Sequence, residues 1–403
     1  MSIQKRILGL AGIGLFLAGA GWGSNYYVND ANTNGDVYTS AVGVDAPGRG
    51  TTPADPLLSL AYLLNIYDLN GGDTVYVDTG IYSNQTTTIA ASQSGGAGNP
   101  MTIQGSTNYF YSGGTVFDGG SFDLVASSCR LQDFAFKRSS VGYGLSVYGN
   151  SNEVYRVLSE RHGGSGFYTL GFRNAFYNCV ALNNAYGGST ELGGLYVYEN
   201  RPTLWQGGLM LNNKFGMYAD ASLTISNSLI LGGNMAFSRN TLPRGDHCVF
   251  WDTNIRDKQA SITPLVNLLD LQLATTSFAH SVYADPQLAA ADATNYYPRS
   301  LVGRYNPATG SWVTDTVHSV LIDLGSPFST AFTNEPMPHG GRENVGLYSG
   351  MAQASKSRTN AWVMALSLND GGEFSGTNRL YWNHGTNFPG GIATAKVDLA
   401  YSP

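Results

Sequence analysis

Charge is scarce in this chain. Asp, Glu, Lys and Arg together make up 12% of its 403 residues, about half the usual fraction. Lys and Arg are nowhere clustered, which excludes a nucleic-acid-binding face. Three cysteines, Cys129, Cys179 and Cys248, are too few for a disulfide-built scaffold and allow at most one internal pair. Their neighbours are apolar ("NCVAL", "HCVFW"), as expected of buried small hydrophobes. Long apolar runs are missing after the first two dozen residues, so no later segment can span a bilayer. The first stretch is a different case. Lys5 and Arg6 precede "ILGLAGIGLFLAGAG", and Ala18, Ala20 and Gly23 offer small residues for cleavage. Residues 1–23 therefore read as an export signal, and the mature chain is expected to begin near Gly21 to Asn25. Its net charge of −6 then becomes about −8, 20 basic against 28 acidic residues. That balance argues against polyanionic partners.

What is abundant is glycine, 51 residues, with much Asn, Ser, Thr and Tyr. From about Ser121 to Asn254 the chain repeats loosely. "GLSVYGNSNEVYRVLSERH" starts at Gly144 and "GFYTLGFRNAFYNCVALNN" at Gly166. "GLYVYENRPTLWQGGLMLNN" starts at Gly194 and "GMYADASLTISNSLILGGN" at Gly216. The glycines are 22, 28 and 22 residues apart. Each unit holds short alternating apolar stretches, which argue strand rather than helix. Short strands at such a period, with no helices between, fit a parallel β-helix in which every strand pairs with its counterpart one coil away. Asn183 with Asn184, Asn212 with Asn213, Asn234 and Asn254 would then stack at the turns, amide on amide. The 28-residue unit needs a bulge, and Ala185 to Gly193 is the candidate.

The ends of a solenoid must be covered. "TPADPLLSLAYLLNIYDLNGG" supplies a helical pattern, with Leu57, Leu60, Ala61, Leu64 and Tyr67 on one face. Pro56 suits its start, and Gly71 and Gly72 its end. The domain reading is a signal over 1–23, a cap and first coils over 24–120 and regular coils over 121–256. A closing segment follows over 257–350, then a linker over 351–360 and a partial β module over 361–403. The last stretch alternates like the opening of a β-sandwich and is short for an independent one, so the chain reads as a fragment or an early stop.

Several of these stretches resemble a known group. "YYVNDANTNGDVYTSAVGVD" with "TPADPLLSLAYLLNIYDLNGGDTVYVDTGIY" resembles the amino-terminal cap of secreted bacterial right-handed parallel β-helix proteins of the large surface-protein type. "GAGNPMTIQGS" is similar to the strand that follows that cap in the wider pectate-lyase-like group. Asp285-Pro286, Gly303-Arg304, Ile322-Asp323 with Gly325, Glu335-Pro336, and Asn344 with Gly346 and Tyr348 punctuate a closing segment similar to that of the same proteins. The resemblance covers most of residues 26 to 357. It implies an all-β right-handed parallel β-helix with a helical N-cap and the start of a C-terminal β-sandwich-like module. It leaves activity open, since the group mixes enzymes, adhesins and proteins of unknown role. Where members are lyases, the resemblance implies a Lys or Arg base, often with calcium; hydrolases need paired carboxylates.

Three groups of residues are candidate sites. Asp30, Asn32, Asn34 and Asp36 alternate like the first ligands of a calcium loop, with Gly35 at the turn. Position 12 is Ala41, though Asp45 could compensate after a bend. The alternative is Asp and Asn capping turns through their own backbone. Glu160, Arg161 and His162 ("SERHGG") follow Lys137 and Arg138 by 23 residues, so the two pairs would stack as one ridge. Arg161 or His162 could there abstract a proton; the alternative is a solvated turn. Tyr143, Tyr148, Tyr168, Tyr196, Tyr198 and Tyr218 recur at coil spacing and could stack sugar rings, Tyr143, Tyr168, Tyr198 and Tyr218 foremost. Strand alternation would turn half of the six inward. A further charged stretch holds Arg244, Asp246, His247, Asp252, Arg256 and Asp257. The expectation is a secreted or cell-surface monomer that engages extracellular polysaccharide without clear catalytic residues. Calcium is the one cofactor considered, and no nucleic acid or membrane span is expected. The alternatives are a polysaccharide lyase or glycoside hydrolase, and a structural adhesin or spacer.

Overall fold

The computed structural model describes residues 23–358 except 109–113, 141, 186–191, 199, 220–221, 238–241, 256–266, 276 and 291–294. The export signal, most of the Ala185–Gly193 loop, Arg256, Asp257 and the partial β module over 361–403 lie outside the described residues.

The chain is a right-handed parallel β-helix, the hand that parallel crossovers overwhelmingly take. Among the described residues it winds three parallel sheets. A first sheet of nine strands runs from Asn25–Val28 to Arg244–Asp246. A second of nine runs from Gly80–Ser83 to Val282–Tyr283, and a third of seven from Thr87–Ile89 to Met235–Phe237. The glycine spacing anticipates the register. Leu145 pairs with Phe167, Phe167 with Leu195 and Leu195 with Met217, the same 22-, 28- and 22-residue steps. The extra residues of the long coil fall between Val180–Leu182 and Leu195–Val197.

One-to-one pairing turns each inward position into a column. In the first sheet Val75, Ile103, Leu131, Val154, Phe176, Trp205 and Ile225 lie successively over one another, all buried. The column ends at Gly245, paired with Ile225. There a Cβ would meet the ring of Phe278 at 2.6 Å, so glycine is what lets that ring seat. Phe278 and the helix Leu268–Thr275, through Leu268 and Leu271, close the far end of this core. At the near end the helix is shorter than the sequence pattern implies, Leu60–Ile66, and it buries Leu60 and Leu63. It begins at Ser59, whose hydroxyl accepts from Tyr62 N–H. Pro56 does not start it, because Leu57 is drawn into a bridge with Val28. Asp45 is no calcium ligand in waiting: its carboxylate accepts from the N–H groups of Leu58 and Ser59 and from the Ser59 hydroxyl, an N-terminal capping role. All three cysteines are buried free thiols.

Buried asparagines form ladders along the turns. Asn213 Oδ1 accepts from Asn184 N–H, Asn184 Oδ1 from His162 N–H, and His162 Nδ1 from Ser139 N–H, at 3.0, 3.0 and 3.1 Å. A second ladder, not anticipated, joins Asn174, Asn152 and the Cys129 N–H.

The segment after residue 284 does more than close an end. Its Leu288, Tyr296, Tyr297, Val320, Leu321, Leu324, Val345, Leu347 and Tyr348 share one apolar cluster with the outer face of the second sheet. They cover the column Ala135, Leu158, Val180, Leu209, Leu229, Val249 and Val282. The punctuating polar residues fasten this flank. Glu343 accepts from Asn227 Nδ2 at 2.7 Å, Asn344 Oδ1 from Asp323 N–H, and Glu335 Oε1 from the N–H groups of Asn344 and Gly350. Burial pushes the Glu335 carboxyl up to about 8.

Replacing Phe176, fully buried in the middle of the first column, by Ala should lower unfolding free energy by about 3–5 kcal/mol. Urea denaturation followed by circular dichroism measures this; a loss below 1 kcal/mol would contradict the packed shaft.

Candidate functional site

The site lies on the outer face of the second sheet. There a column two residues along from the covered one reads Ser83, Asp118, Lys137, Glu160, Leu182, Leu211, Leu231 and Trp251. It changes from charged to apolar after the Glu160 rung. The leucines lie in the cluster shared with the closing segment; the charged rungs line an open groove of about 500 Å³. Lys137, Arg138, Glu160 and Arg161 come together on this groove, as the stacked-ridge reading required. The residue after each strand takes a left-handed conformation, φ +55° at Arg138 and +59° at Arg161.

The opposite wall is the loop singled out for calcium. Asp30, Asn32 and Asn34 line the same groove. Asp30 accepts from Ile81 N–H, which fixes the loop against the first strand of the sheet. Gly80 permits that approach, since a Cβ there would lie 2.5 Å from the Asp30 carboxylate. Most of the loop's oxygens are engaged. Asp30 accepts from Asn32 N–H at 2.8 Å and Asn32 Oδ1 from Asn34 N–H at 2.8 Å, while Asp36 Oδ2 accepts from Asn29 Nδ2 at 2.6 Å. This is the turn-capping pattern. Asp36 Oδ1 is buried without a partner, and burial raises the Asp36 pKa. Asp78, which sequence reasoning passed over, is fully buried. It accepts from the N–H groups of Val37, Tyr38 and Thr39 and holds the loop from beneath.

Ion pairs run through the groove. Arg138 makes a fork to Asp118, with Nε 2.8 Å from Oδ1, and this hydrogen bonding lowers the Asp118 pKa. Glu160 meets Lys137 at 3.5 Å and Arg161 at 3.2 Å. Asp118 and Glu160 are two rungs apart with Lys137 between them. A hydrolase acid needs a carboxyl held protonated, and Asp118 is shifted the other way. Asp118 was also missed from sequence. "VFDGG", "AFKRS" and "LSERH" align, but the step from Asp118 to Lys137 is 19 residues rather than 23, and that irregularity hid it.

His162 does not share the groove. It is 3% exposed, accepts from Ser139 N–H through Nδ1, and donates through Nε2 to Phe136 O at 3.0 Å. Asn184 and Asn213 make the same contacts one and two rungs on, their Nδ2 groups donating to Ser159 O and Ala181 O. The imidazole thus replaces one amide in the ladder, and both its nitrogens are occupied.

The tyrosines lie together on the third sheet, another face of the solenoid. Tyr168 pairs with Tyr196 and Tyr196 with Tyr218, all on the outer side. None of the six tyrosines is buried, so the expected inward half is corrected. Tyr148, Tyr168, Tyr196, Tyr198 and Tyr218 are spaced by whole coils or by two residues in register, which keeps one face, and Tyr143, ahead of its strand, reaches that face by stacking on Tyr168. Tyr143 and Tyr168 stack at 4.4 Å, and Tyr168, Tyr196 and Tyr218 meet edge to face. The rings cover much of one another's faces. Tyr148 and Tyr198 are the exposed members, and Arg201 lies over the ring of exposed Phe172 at 4.1 Å and over that of Tyr198 at 6.0 Å.

No family model matches this chain, and no curated protein does. Solved structures do. A rhamnogalacturonan lyase is 16% identical, with TM-score 0.39, over 57% of this chain and 68% of its own. A pectate lyase is 12% identical, with TM-score 0.46, over 81% and 97%. A mannuronic acid specific lyase from human gut microbiota is 13% identical, with TM-score 0.37, over 48% and 51%. Likeness at 12–16% identity concerns the path of the backbone only. Among the described residues no helix is long and apolar enough to cross a membrane.

Burial lowers the His162 pKa from 6.5 to about 4. The unfolded chain then takes up the proton first, so stability falls as pH drops below 6.5 and the loss is complete below about 4, reaching about 3 kcal/mol. His162→Asn should keep the ladder and remove this part of the acid sensitivity. Urea unfolding of both proteins at pH 7 and pH 4.5 tests it; an unchanged pH dependence would count against the neutral, ladder-bound imidazole.

Proposed function

We propose that this is an exported β-helix protein that binds extracellular polysaccharide, without turning it over, in the groove between the amino-terminal loop and the first rungs of the second sheet. The observation that carries the reading is the balance of charge in the groove. Asp30, Asp118 and Glu160 face Lys137, Arg138 and Arg161, three carboxylates against three cations. Such a lining offers acceptors and donors to sugar hydroxyls and no net attraction to a polyuronate. The groove volume, about 500 Å³, suits a few sugar units. The apolar start with Lys5 and Arg6 supports export, and a monomer is the simplest state.

A lyase is the second reading. Arg161 favours it, with a side chain 63% exposed at the groove, placed where a base could meet a sugar ring. A lyase must also neutralise a uronate carboxylate, and every cation of this groove has a carboxylate partner. The exposed Tyr148, Tyr198 and Phe172 are a separate candidate for stacking a sugar. A passive adhesin or spacer would need neither surface.

Glycan-array binding, with isothermal titration of the hits, tests the proposal. Neutral polysaccharides should bind without turnover, and Arg161→Ala with Lys137→Ala should weaken binding about tenfold, the loss of roughly one charge-assisted hydrogen bond. Tyr148→Ala with Tyr198→Ala should leave it unchanged. Unsaturated product from a uronic-acid polymer, absorbing in the ultraviolet and lost in Arg161→Ala, would establish the lyase instead.

A further inference from the structure

A second cluster sits far along the solenoid from the groove. Arg244–Asp246 is the last strand of the first sheet among the described residues. Val249 of the same coil pairs with Val282 of the next, a step of 33 residues. The same step carries His247 onto His280, and the two imidazoles lie parallel, centroids 5.0 Å apart and planes 7° apart. That separation is close to the spacing of paired strands, so the solenoid itself sets the histidines together.

Each ring has one defined polar contact. His247, 7% exposed, points Nδ1 at the Leu324 carbonyl at 3.1 Å. That nitrogen therefore carries the proton, and Nε2 keeps its lone pair. His280 directs Nδ1 to Asp246 Oδ2 at 2.6 Å. Asp246 Oδ1 accepts from the backbone N–H groups of both histidines, at 2.9 and 2.7 Å. Among the described residues no hydrogen bond engages Nε2 of either ring. One nitrogen from each imidazole and one Asp246 oxygen lie within 4.8 Å of one another. Two imidazoles and a carboxylate form a donor set for zinc and related ions; the Leu324 carbonyl fixes the His247 tautomer, while the exposed His280 would exchange its hydrogen bond to Asp246 for the ion. Arg342, bonded to the carbonyls of Leu324 and Gly325, is the nearby charge that opposes a cation, and the Asp246 carboxylate offsets it.

We propose that Asp246, His247 and His280 bind a divalent transition metal, zinc or a close relative, which clasps the last strand of the first sheet to the following coil. The Leu324 contact extends the clasp to the flank segment. The ion would be a structural staple at the carboxyl-terminal end of the shaft, independent of any glycan bound in the groove.

The test uses the full, untagged chain after treatment with chelator and dialysis. Zinc chloride should give a saturable heat in isothermal titration and raise Tm by a few degrees, since a ligand that binds only the folded state stabilises it. Cobalt(II) should give visible d–d absorption at one equivalent. His280→Ala, at a position 62% exposed and so tolerant of change, should abolish heat, Tm rise and absorption. Asp246→Asn should weaken all three, and His339→Ala, outside the three-residue cluster, should leave them intact. No heat and no Tm rise in the unaltered protein would overturn the site. Responses that persist in His280→Ala would overturn it equally.

Discussion

The structure depends on parallel pairing between successive coils. Within each sheet a strand is hydrogen-bonded to the strands one coil before and after it, so a side chain's main neighbour is the residue one coil away in sequence. That single constraint builds the apolar shaft from Val75 through Trp205 to Ile225. It also builds the amide ladder through Asn184 and Asn213 and the tyrosine face from Tyr168 to Tyr218. Asp118, Lys137 and Glu160 come together by the same rule, and so do His247 and His280. Features that look like sites and features that are purely structural thus arise from one mechanism, and only exposure and hydrogen bonding separate them. His162 and Arg161 show this best. They are adjacent in sequence, yet one is locked inside a ladder and the other is open to solvent.

The flank segment is what gives the outer face of the second sheet a functional geography. Leucines at 182, 211 and 231 continue the column of Asp118, Lys137 and Glu160, and they can be apolar only because Leu321, Leu347 and their neighbours cover them. Strands such as Leu209–Leu211 are buried on both faces for this reason. Where the cover stops, charge begins, and the amino-terminal loop stands opposite. The groove is therefore the uncovered part of a face whose remainder is core, walled on its other side by the amino-terminal loop.

Balance within the groove separates the functional readings. A surface built to bind a polyuronate needs uncompensated positive charge, and here Arg138 is committed to Asp118 and Lys137 to Glu160. The loop that resembles a calcium site spends most of its oxygens on its own backbone and on Asn29, and its role in the structure is to wall the groove. Neither observation depends on the shape likeness to lyases.

Much of this was legible in the sequence. Recurring glycines with alternating apolar stretches determined the coil, its step and the stacking of Lys137 with Glu160, because a solenoid translates sequence separation directly into contact. Residue spacing also placed Asn184 over Asn213. Tertiary structure alone decided which stacked residues face water. It also decided that residues after 284 lie along a flank, that all six tyrosines share one side, and that Asp118 and His280 join their partners across irregular steps of 19 and 33 residues. The physical reason is that regular coils carry their register in the sequence. Insertions between strands, and chain that folds back on an outer face, are positioned by packing partners that no periodicity encodes.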